Sequence, residues 1–356
     1  MSAAGGEPSA LAATVVIPAR DARATVGAAV AALRDQTDAA GRPVRVIVVD
    51  DGSVDGTGEV AAAAGAEVIR GGGDGPARAR NLGVAAARTE LVIFTDADCT
   101  PQPGFVAALL APFADPDVAG AKGTYLTRQR SWVARFVQVE YEERYARMAR
   151  LERIDFVDTY AAAYRRAVLD AVGGFDERYR LPSTEDQELS FRVVAAGHAL
   201  VFAPAARVAH LHADTLLGYA RKKFKIGRFK VATLRRHPSK AARDSHTPLS
   251  LKAQVVLAPA TLSAAVAAVG LSLTSPLAAP AAWAGALAGA GAFAATCAPL
   301  TLRVLRRDPA VALAAPALIA VRALALAAGL VAGVLDGALP EGSPRGAPPP
   351  PEPARP

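Results

Sequence analysis

The sequence predicts an α/β domain on a parallel sheet, followed by apolar helices suited to a membrane. Three observations carry this prediction. Short apolar β-type runs alternate with helix-spaced segments over roughly the first third of the chain, two of those runs end in paired acids, and charge disappears after Lys252. Strands that alternate with helices favour parallel pairing with right-handed crossovers.

The elements follow in order. Thr14-Val15-Val16-Ile17 is a first strand ending at Pro18, and Val26, Val30 and Leu33 follow at helical spacing. Val44–Val49 is a second strand, running into Asp50-Asp51-Gly52-Ser53. Glu59–Ala64 is Ala-rich and reads as a helix, and Glu67-Val68-Ile69 as a short strand. Pro76–Arg88 is a helix with proline in its first turn, where a missing N–H costs no hydrogen bond. Leu91–Thr95 is the next strand, and Asp96-Ala97-Asp98 closes it. No internal repeat is visible.

A parallel sheet brings the carboxyl ends of its strands to one edge, and open α/β sheets bind ligands there. That edge would carry Pro18-Ala19-Arg20, Asp50-Asp51-Gly52-Ser53 and Asp96-Ala97-Asp98. Two acids so close are costly unless a positive charge lies between them. Mg²⁺ characteristically takes one or two carboxylates together with substrate phosphates. Asp96 and Asp98 therefore suggest metal-assisted handling of a phosphorylated substrate, with an ordinary acidic turn as the plain alternative. Asp51, or Asp50, could accept hydrogen bonds from a base or ribose, and Gly52 and Ser53 suit a tight turn beside a ligand. Arg80 could add positive charge near a diphosphate, or be a surface cation of its helix.

Charge is placed unevenly. Between Tyr219 and Lys252 stand eleven lysines and arginines against one acid, Asp244, whereas the whole chain carries a formal +7. The high pI thus belongs to one belt. Because an apolar region follows it, the belt suggests a membrane surface and not nucleic acid. Cys99 and Cys297 offer no disulfide framework and no metal-ligand spacing. The N-terminal residues show no basic stretch ahead of an apolar one, so no cleavable signal peptide is expected.

From Ala253 to Leu302 there is no charged residue. As one helix this stretch would extend about 75 Å, far more than a hydrocarbon core of roughly 30 Å requires. Two spans are expected, near Ala253–Leu273 and Leu277–Leu302, with the break at Leu273-Thr274-Ser275-Pro276 and Pro280 in the first turn of the second. A third stretch, Pro309–Leu335, carries Arg322 near its middle. It would span with Arg322 turned to the bundle or snorkelling, or lie at the interface. The basic belt and Arg303, Arg306 and Arg307 fall on one side if the first two spans form a hairpin. The positive-inside rule then makes the N-terminal region cytoplasmic, at the plasma or inner membrane.

Four segments together resemble the family 2 glycosyltransferases: TVVIPARDARATVGAAVAALRDQT (14–37), VIVVDDGSVDGT (46–57), GPARARNLGVAAARTELVIFTDAD (75–98) and TEDQELSFR (184–192). The resemblance covers about residues 14–215. It implies a GT-A fold, Rossmann-like and built for nucleotide-diphospho-sugars. It further implies a nucleotide-diphospho-sugar donor, a divalent metal (Mg²⁺ or Mn²⁺) and inversion at the anomeric carbon. By that match Asp51 contacts the base, Asp98 is the main metal ligand and Asp96 assists at the ribose or the metal.

The resemblance also places a catalytic base at Asp186, with Glu185 as its orienting partner. A carboxylate in a partly dry cleft suits that task, since desolvation raises its pKa. The same residues would favour a helix N-terminus, with Ser183 or Thr184 as cap. His210-Leu211-His212 alternates like a strand end and makes His210 a secondary candidate for the metal or the diphosphate. Processive members of the family carry a Gln-rich motif ending in Arg-Trp. Tyr219–Phe229 stands there instead, without tryptophan, which favours a single transfer.

Two further segments have weaker readings. Ser131–Arg150 is expected as a solvated helix packed on the sheet, or as an amphipathic helix beside the acceptor or the membrane. Gly173-Gly174-Phe175-Asp176 is expected to shape the acceptor side. The division expected is a flexible N-terminus (1–12), a catalytic domain (13–218), a basic juxtamembrane segment (219–252), a membrane region of two or three helices (253–338) and a disordered Pro-rich tail (339–356). The expected activity is transfer of a sugar to a hydroxyl or phosphate acceptor, a lipid or lipid-linked glycan. The rival readings are a metal-dependent nucleotidyltransferase, which would want a glycine-rich basic loop after the first strand, and a non-catalytic membrane scaffold.

Overall fold

The computed structural model describes residues 12–242 and 244–337. The expectations for 339–356, and for 1–12 apart from Ala12, lie outside the described residues. The chain forms two compact units, one from residues up to 126 together with 151–210, the other from 127–150 together with 211–337.

The first unit begins as the sequence predicts. β1 (Ala13–Ala19), α1 (Val26–Ala31), β2 (Arg45–Asp50), α2 (Thr57–Ala63), β3 (Glu67–Arg70), α3 (Pro76–Ala86) and β4 (Leu91–Thr95) alternate along the chain. β3, β2, β1 and β4 lie side by side in that order, all parallel. Val15–Ile17, Ile47–Val49 and Leu91–Phe94 are fully buried, as continuous apolar runs in a sheet covered on both faces should be.

Beyond β4 the pairing becomes mixed. β5 (Cys99–Pro101), α4 (Phe105–Leu110) and β6 (Val118–Leu126) come next. The chain then leaves this unit as α5 (Trp132–Met148) and returns in β7 (Ala161–Arg165), α6 (Arg166–Val172), α7 (Glu185–Ala195) and β8 (Ala199–His210). The full order is β3-β2-β1-β4-β7-β6-β8-β5. β7 runs antiparallel to both β4 and β6, whereas β6 and β8 are parallel. Thr95 therefore lies opposite Ala161, so the segment entering β7 reaches the same edge as the end of β4.

The second unit holds the apolar helices. α8 (Leu216–Arg236) contains much of the basic belt and is followed by the short α9 (Ser239–Ala242). α10 (Leu249–Thr274), α11 (Ala279–Arg307), a short α12 (Pro309–Ala312) and α13 (Ala315–Leu335) follow. Three of these, α10, α11 and α13, are long and apolar enough to cross a membrane. The break between α10 and α11 lies where it was expected, and Pro280 sits in the first turn of α11.

α5 corrects one expectation. It is no plain solvated helix; it belongs to the second unit, where Phe136 and Val137 join Tyr219, Leu300, Val304 and Ile319 in one apolar cluster. The reason lies in Glu140, which is buried and paired with Lys223 at 3.1 Å and with Arg322. Arg322 also donates to the Gln254 side-chain carbonyl at 2.7 Å. Burial opposes the charge on Glu140, but Lys223, Arg322 and Arg144 outweigh it and hold its carboxyl at about 2. Arg322 is thus turned into the bundle, one of the three dispositions open to it from sequence.

Candidate active site

The site grows from the carboxyl ends of β1, β2 and β4. Ala19 pairs with Asp50, and the Asp51 N–H donates to the Ala19 carbonyl at 2.8 Å, which fixes the two loops together. The two acids after β2 then serve different partners. Asp50 is fully buried; it accepts the Ser53 N–H at 3.0 Å and pairs with Arg70 at 2.6 Å. Its carboxylate is committed to the turn.

Asp51 accepts three backbone N–H groups, from Gly73 at 2.9 Å, Asp74 at 3.1 Å and Gly75 at 2.8 Å. It thereby shapes the 73–75 loop ahead of α3. Gly75 has φ +103°, and a Cβ there would lie 2.3 Å from the Arg180 carbonyl, so only glycine fits. Arg20 donates to the Gly73 carbonyl at 3.3 Å from the other side of the crevice. The Ser53 hydroxyl accepts the Asp21 N–H at 3.0 Å, and Pro18 lies in β1 opposite Val49.

Arg80 is the centre of the arrangement. Helix α3 carries it, and its guanidinium is buried between Glu185 at 2.9 Å and Asp96 at 3.3 Å, 5.5 Å from the Phe175 ring. The surface-cation alternative is thereby excluded. Phe175 is held in turn by Asn81, which donates to its carbonyl at 2.9 Å and accepts its N–H at 2.8 Å. The Gly173–Asp176 segment is therefore anchored to α3 through Asn81. Burial pushes the Asp96 carboxyl up; Arg80 pulls against this and the Asp98 charge adds to it.

Asp98 stands beside a different group. Its carboxylate lies 3.5 Å from His210 Nδ1, and His210 closes β8 opposite Cys99 of β5. Ligand atoms of Asp98, Cys99 and His210 all lie within 4.8 Å of one another. The Asp98 carboxylate is of the ligand type that suits Mg²⁺ or Mn²⁺, and the imidazole adds a softer nitrogen donor beside it. Burial, together with the Asp96 and Asp98 charges, pushes the Cys99 thiol well up, which favours its protonated form in the absence of a cation. The His210 ring is set by stacking on Tyr125 at 4.4 Å, and Tyr125 stacks on Tyr160 at 3.3 Å. His212 lies past the end of the strand, in the second unit, where it stacks on Tyr141.

The acidic motif forms the start of α7, but neither Ser183 nor Thr184 caps it through its side chain. Instead Glu185 accepts the Ser183 N–H at 2.7 Å while its other oxygen meets Arg80. Asp186, half-buried beside it, accepts the Gln187 N–H at 2.7 Å. Burial first, then the Glu185 and Asp158 charges, push its carboxyl well above the ordinary range, with Arg80 opposing.

Several groups at this edge escape sequence reasoning. Ser190, one turn along α7, donates to the Asp186 carbonyl at 2.7 Å and accepts the Val157 N–H at 3.0 Å. Lys122 of β6 is fully buried and pairs with Asp158. The signal for Lys122 was its place in the otherwise uncharged run Val118–Leu126.

These features can be set beside known proteins. A family model described as Glycosyl transferase family 2 matches residues 14–173. The chain is 35% identical over 239 residues to a pre-mycofactocin glycosyltransferase of Mycobacterium tuberculosis, a match covering 64% of this chain and 49% of that one. The chain thus spans about half the length of that relative. It is 34% identical over 191 residues to an uncharacterized glycosyltransferase of Mycobacterium bovis, covering 53% of this chain and 81% of the relative. Its fold is shared with a mannosyltransferase from Pyrobaculum calidifontis solved in complex with GDP-Man and Mn²⁺. The TM-score is 0.57, with 92% of this chain and 88% of that one covered at 20% identity. A mixed α/β sheet with the acid pairs at its edge, the family match and these relatives agree: the chain belongs to glycosyltransferase family 2 and carries the GT-A fold.

Proposed function

We propose that the protein is an inverting glycosyltransferase that moves one sugar from a nucleotide-diphospho-sugar to a hydroxyl or phosphate acceptor, a lipid or lipid-linked glycan. One observation carries the reading. The buried Arg80 pairs with Asp96, two residues from the candidate metal ligand Asp98, and with Glu185, the neighbour of Asp186, whose carboxyl is pushed up by burial. Donor and acceptor chemistry thus meet around one cation.

In this reading Asp51, Arg20 and Ser53 border the nucleoside, and Asp98 with His210 and Asp96 would hold Mg²⁺ or Mn²⁺. The bound ion would neutralise charge on the departing diphosphate. Asp186 accepts the proton of an acceptor hydroxyl as its oxygen forms the new bond to the anomeric carbon. The bond from that carbon to the diphosphate oxygen breaks on the opposite side, and the nucleoside diphosphate leaves. A phosphate acceptor, already ionised, would need Asp186 less.

We further propose that the protein resides in a cell membrane with its catalytic unit on the cytoplasmic side. Support comes from three apolar helices and from basic residues clustered before α10 and at the end of α11. Exposed cations such as Arg221 and Lys222 would meet anionic lipid at about 1 kcal/mol each. That surface favours a lipid-borne acceptor.

The test is a donor screen on membranes holding the full-length protein, with extracted lipid as acceptor and Mn²⁺ or Mg²⁺ added. GDP-mannose and UDP-glucose are the first donors to try. Release of nucleoside diphosphate, lost on chelation and in Asp98→Ala, supports the reading. Release of pyrophosphate would support nucleotidyl transfer instead.

A further inference from the structure

We infer that Lys122 and Asp158 form a positioning pair for the base. Asp158 sets a second carboxylate near Asp186, and Lys122 holds that carboxylate in place and balances its charge. The inference rests on the reading of Asp186 as the base.

Lys122 lies on an interior strand, flanked by Ala162 of β7 and Phe202 of β8. Its side chain has no solvent exposure, its ammonium lies 4.8 Å from the centre of the Phe156 ring, and it pairs with Asp158. A buried ion pair is a weak source of stability, because desolvating two charges offsets their attraction. Apolar side chains would fill the same space as well. The pair therefore asks for a role beyond packing, and its place supplies one.

The segment entering β7 is tied to the base by one side chain. The Ser190 hydroxyl takes the N–H of Val157, the residue before Asp158, and gives its own proton to the Asp186 carbonyl. Tyr164 of β7 meets the same hydroxyl at 3.3 Å. Among the described residues, the charged and titratable groups that act most strongly on Asp186 are Glu185 on its own helix, Asp158 from the segment before β7 and Arg80 from α3, and Asp186 in turn acts on Tyr164 of β7. Glu185 is matched by Arg80. Asp158 is matched by Lys122, so the pair governs how much negative charge Asp186 experiences from this side.

The two members therefore have opposite effects when removed. In Asp158→Asn the Lys122 charge is kept while the Asp158 charge is lost, which favours ionised Asp186. In Lys122→Met the Asp158 charge stands alone and opposes it. The experiment is the pH profile of kcat/KM for the full-length protein, using the donor selected by the screen and extracted lipid as acceptor. Asp158→Asn should move the acidic limb down by about half to one pH unit, and Lys122→Met should move it up by a similar amount. A purely structural pair would lower turnover in both and leave the limb in place, which overturns the inference. If Lys122→Met does not fold, Asp158→Asn decides alone: a lowered limb supports the pair and an unmoved limb overturns it. Asp186→Asn is measured in parallel. Full activity there refutes the base itself, whereas an inactive Asp186→Asn with unmoved limbs refutes only the pair.

Discussion

At the scale of single residues, the buried guanidinium of Arg80 is the group on which the others depend. It is the cation shared by Glu185 and Asp96, so Arg80→Met leaves the buried Glu185 and the half-buried Asp96 without it. Removing one partner of a buried pair costs about 3–5 kcal/mol, and thermal unfolding of the variant should show a loss of that order. Asp186→Asn should do the opposite to stability. A carboxyl whose pKa is raised by folding binds its proton more tightly in the native state. Its contribution is therefore greatest at low pH and declines as pH rises from the ordinary carboxylate range to the raised value. Asparagine cannot ionise, so the variant should melt above the wild type, and by more at pH 8 than at pH 5. Transfer to a hydroxyl should fall about 10²–10⁴-fold, and wild-type activity should decline as pH falls through the raised value. Asp51, Asp96, Asp98 and Asp186 were legible in the sequence because each sits in a recognisable acidic motif. Lys122, Asp158 and Ser190 were not, because their meaning comes from pairing across the sheet. Asp50 looked equivalent to Asp51 in sequence; Arg70, lying opposite it on β3, commits it to the turn.

At the scale of elements, the first four strands and their helices followed from hydrophobic period alone. The antiparallel β7 did not, since Ala161–Arg165 is short and its direction is set by its partners. α5 was misplaced for a related reason: a helix carrying both charges and aromatics looks solvated until Glu140 is seen between Lys223 and Arg322. α8 and α13 pack at unusually close range. A Cβ on Gly329 would lie 2.1 Å from the Phe224 carbonyl, and one on Gly333 would lie 2.2 Å from that of Arg228. Gly329→Val should therefore push these helices apart and cost about 1–3 kcal/mol, visible as a lower melting temperature in detergent. An Ala on the outward-facing Gly291 of α11, where an added Cβ meets nothing within 4 Å, is the control and should melt at or above the wild type.

At the scale of the whole molecule, the uncharged run after Lys252 announced the membrane helices more plainly than any motif announced the site. A hairpin of α10 and α11 places their connecting turn opposite the basic end of α11. Leu277→Cys, in the fully exposed turn, should then react with a membrane-impermeant thiol reagent only from outside, and Arg306→Cys only after the cytoplasmic face is opened. Cys99 and Cys297 are buried and should contribute little background. Labelling of both positions from one side would refute the hairpin. The central claim, that Asp186 acts as base in sugar transfer from a nucleotide-diphospho-sugar, is tested most directly by product stoichiometry. Nucleoside diphosphate release and labelled sugar entering lipid are counted together, for wild type and for Asp186→Asn. The account predicts one diphosphate per sugar transferred in the wild type and loss of both in Asp186→Asn; pyrophosphate as the product, or undiminished transfer in Asp186→Asn to a hydroxyl acceptor, would contradict it.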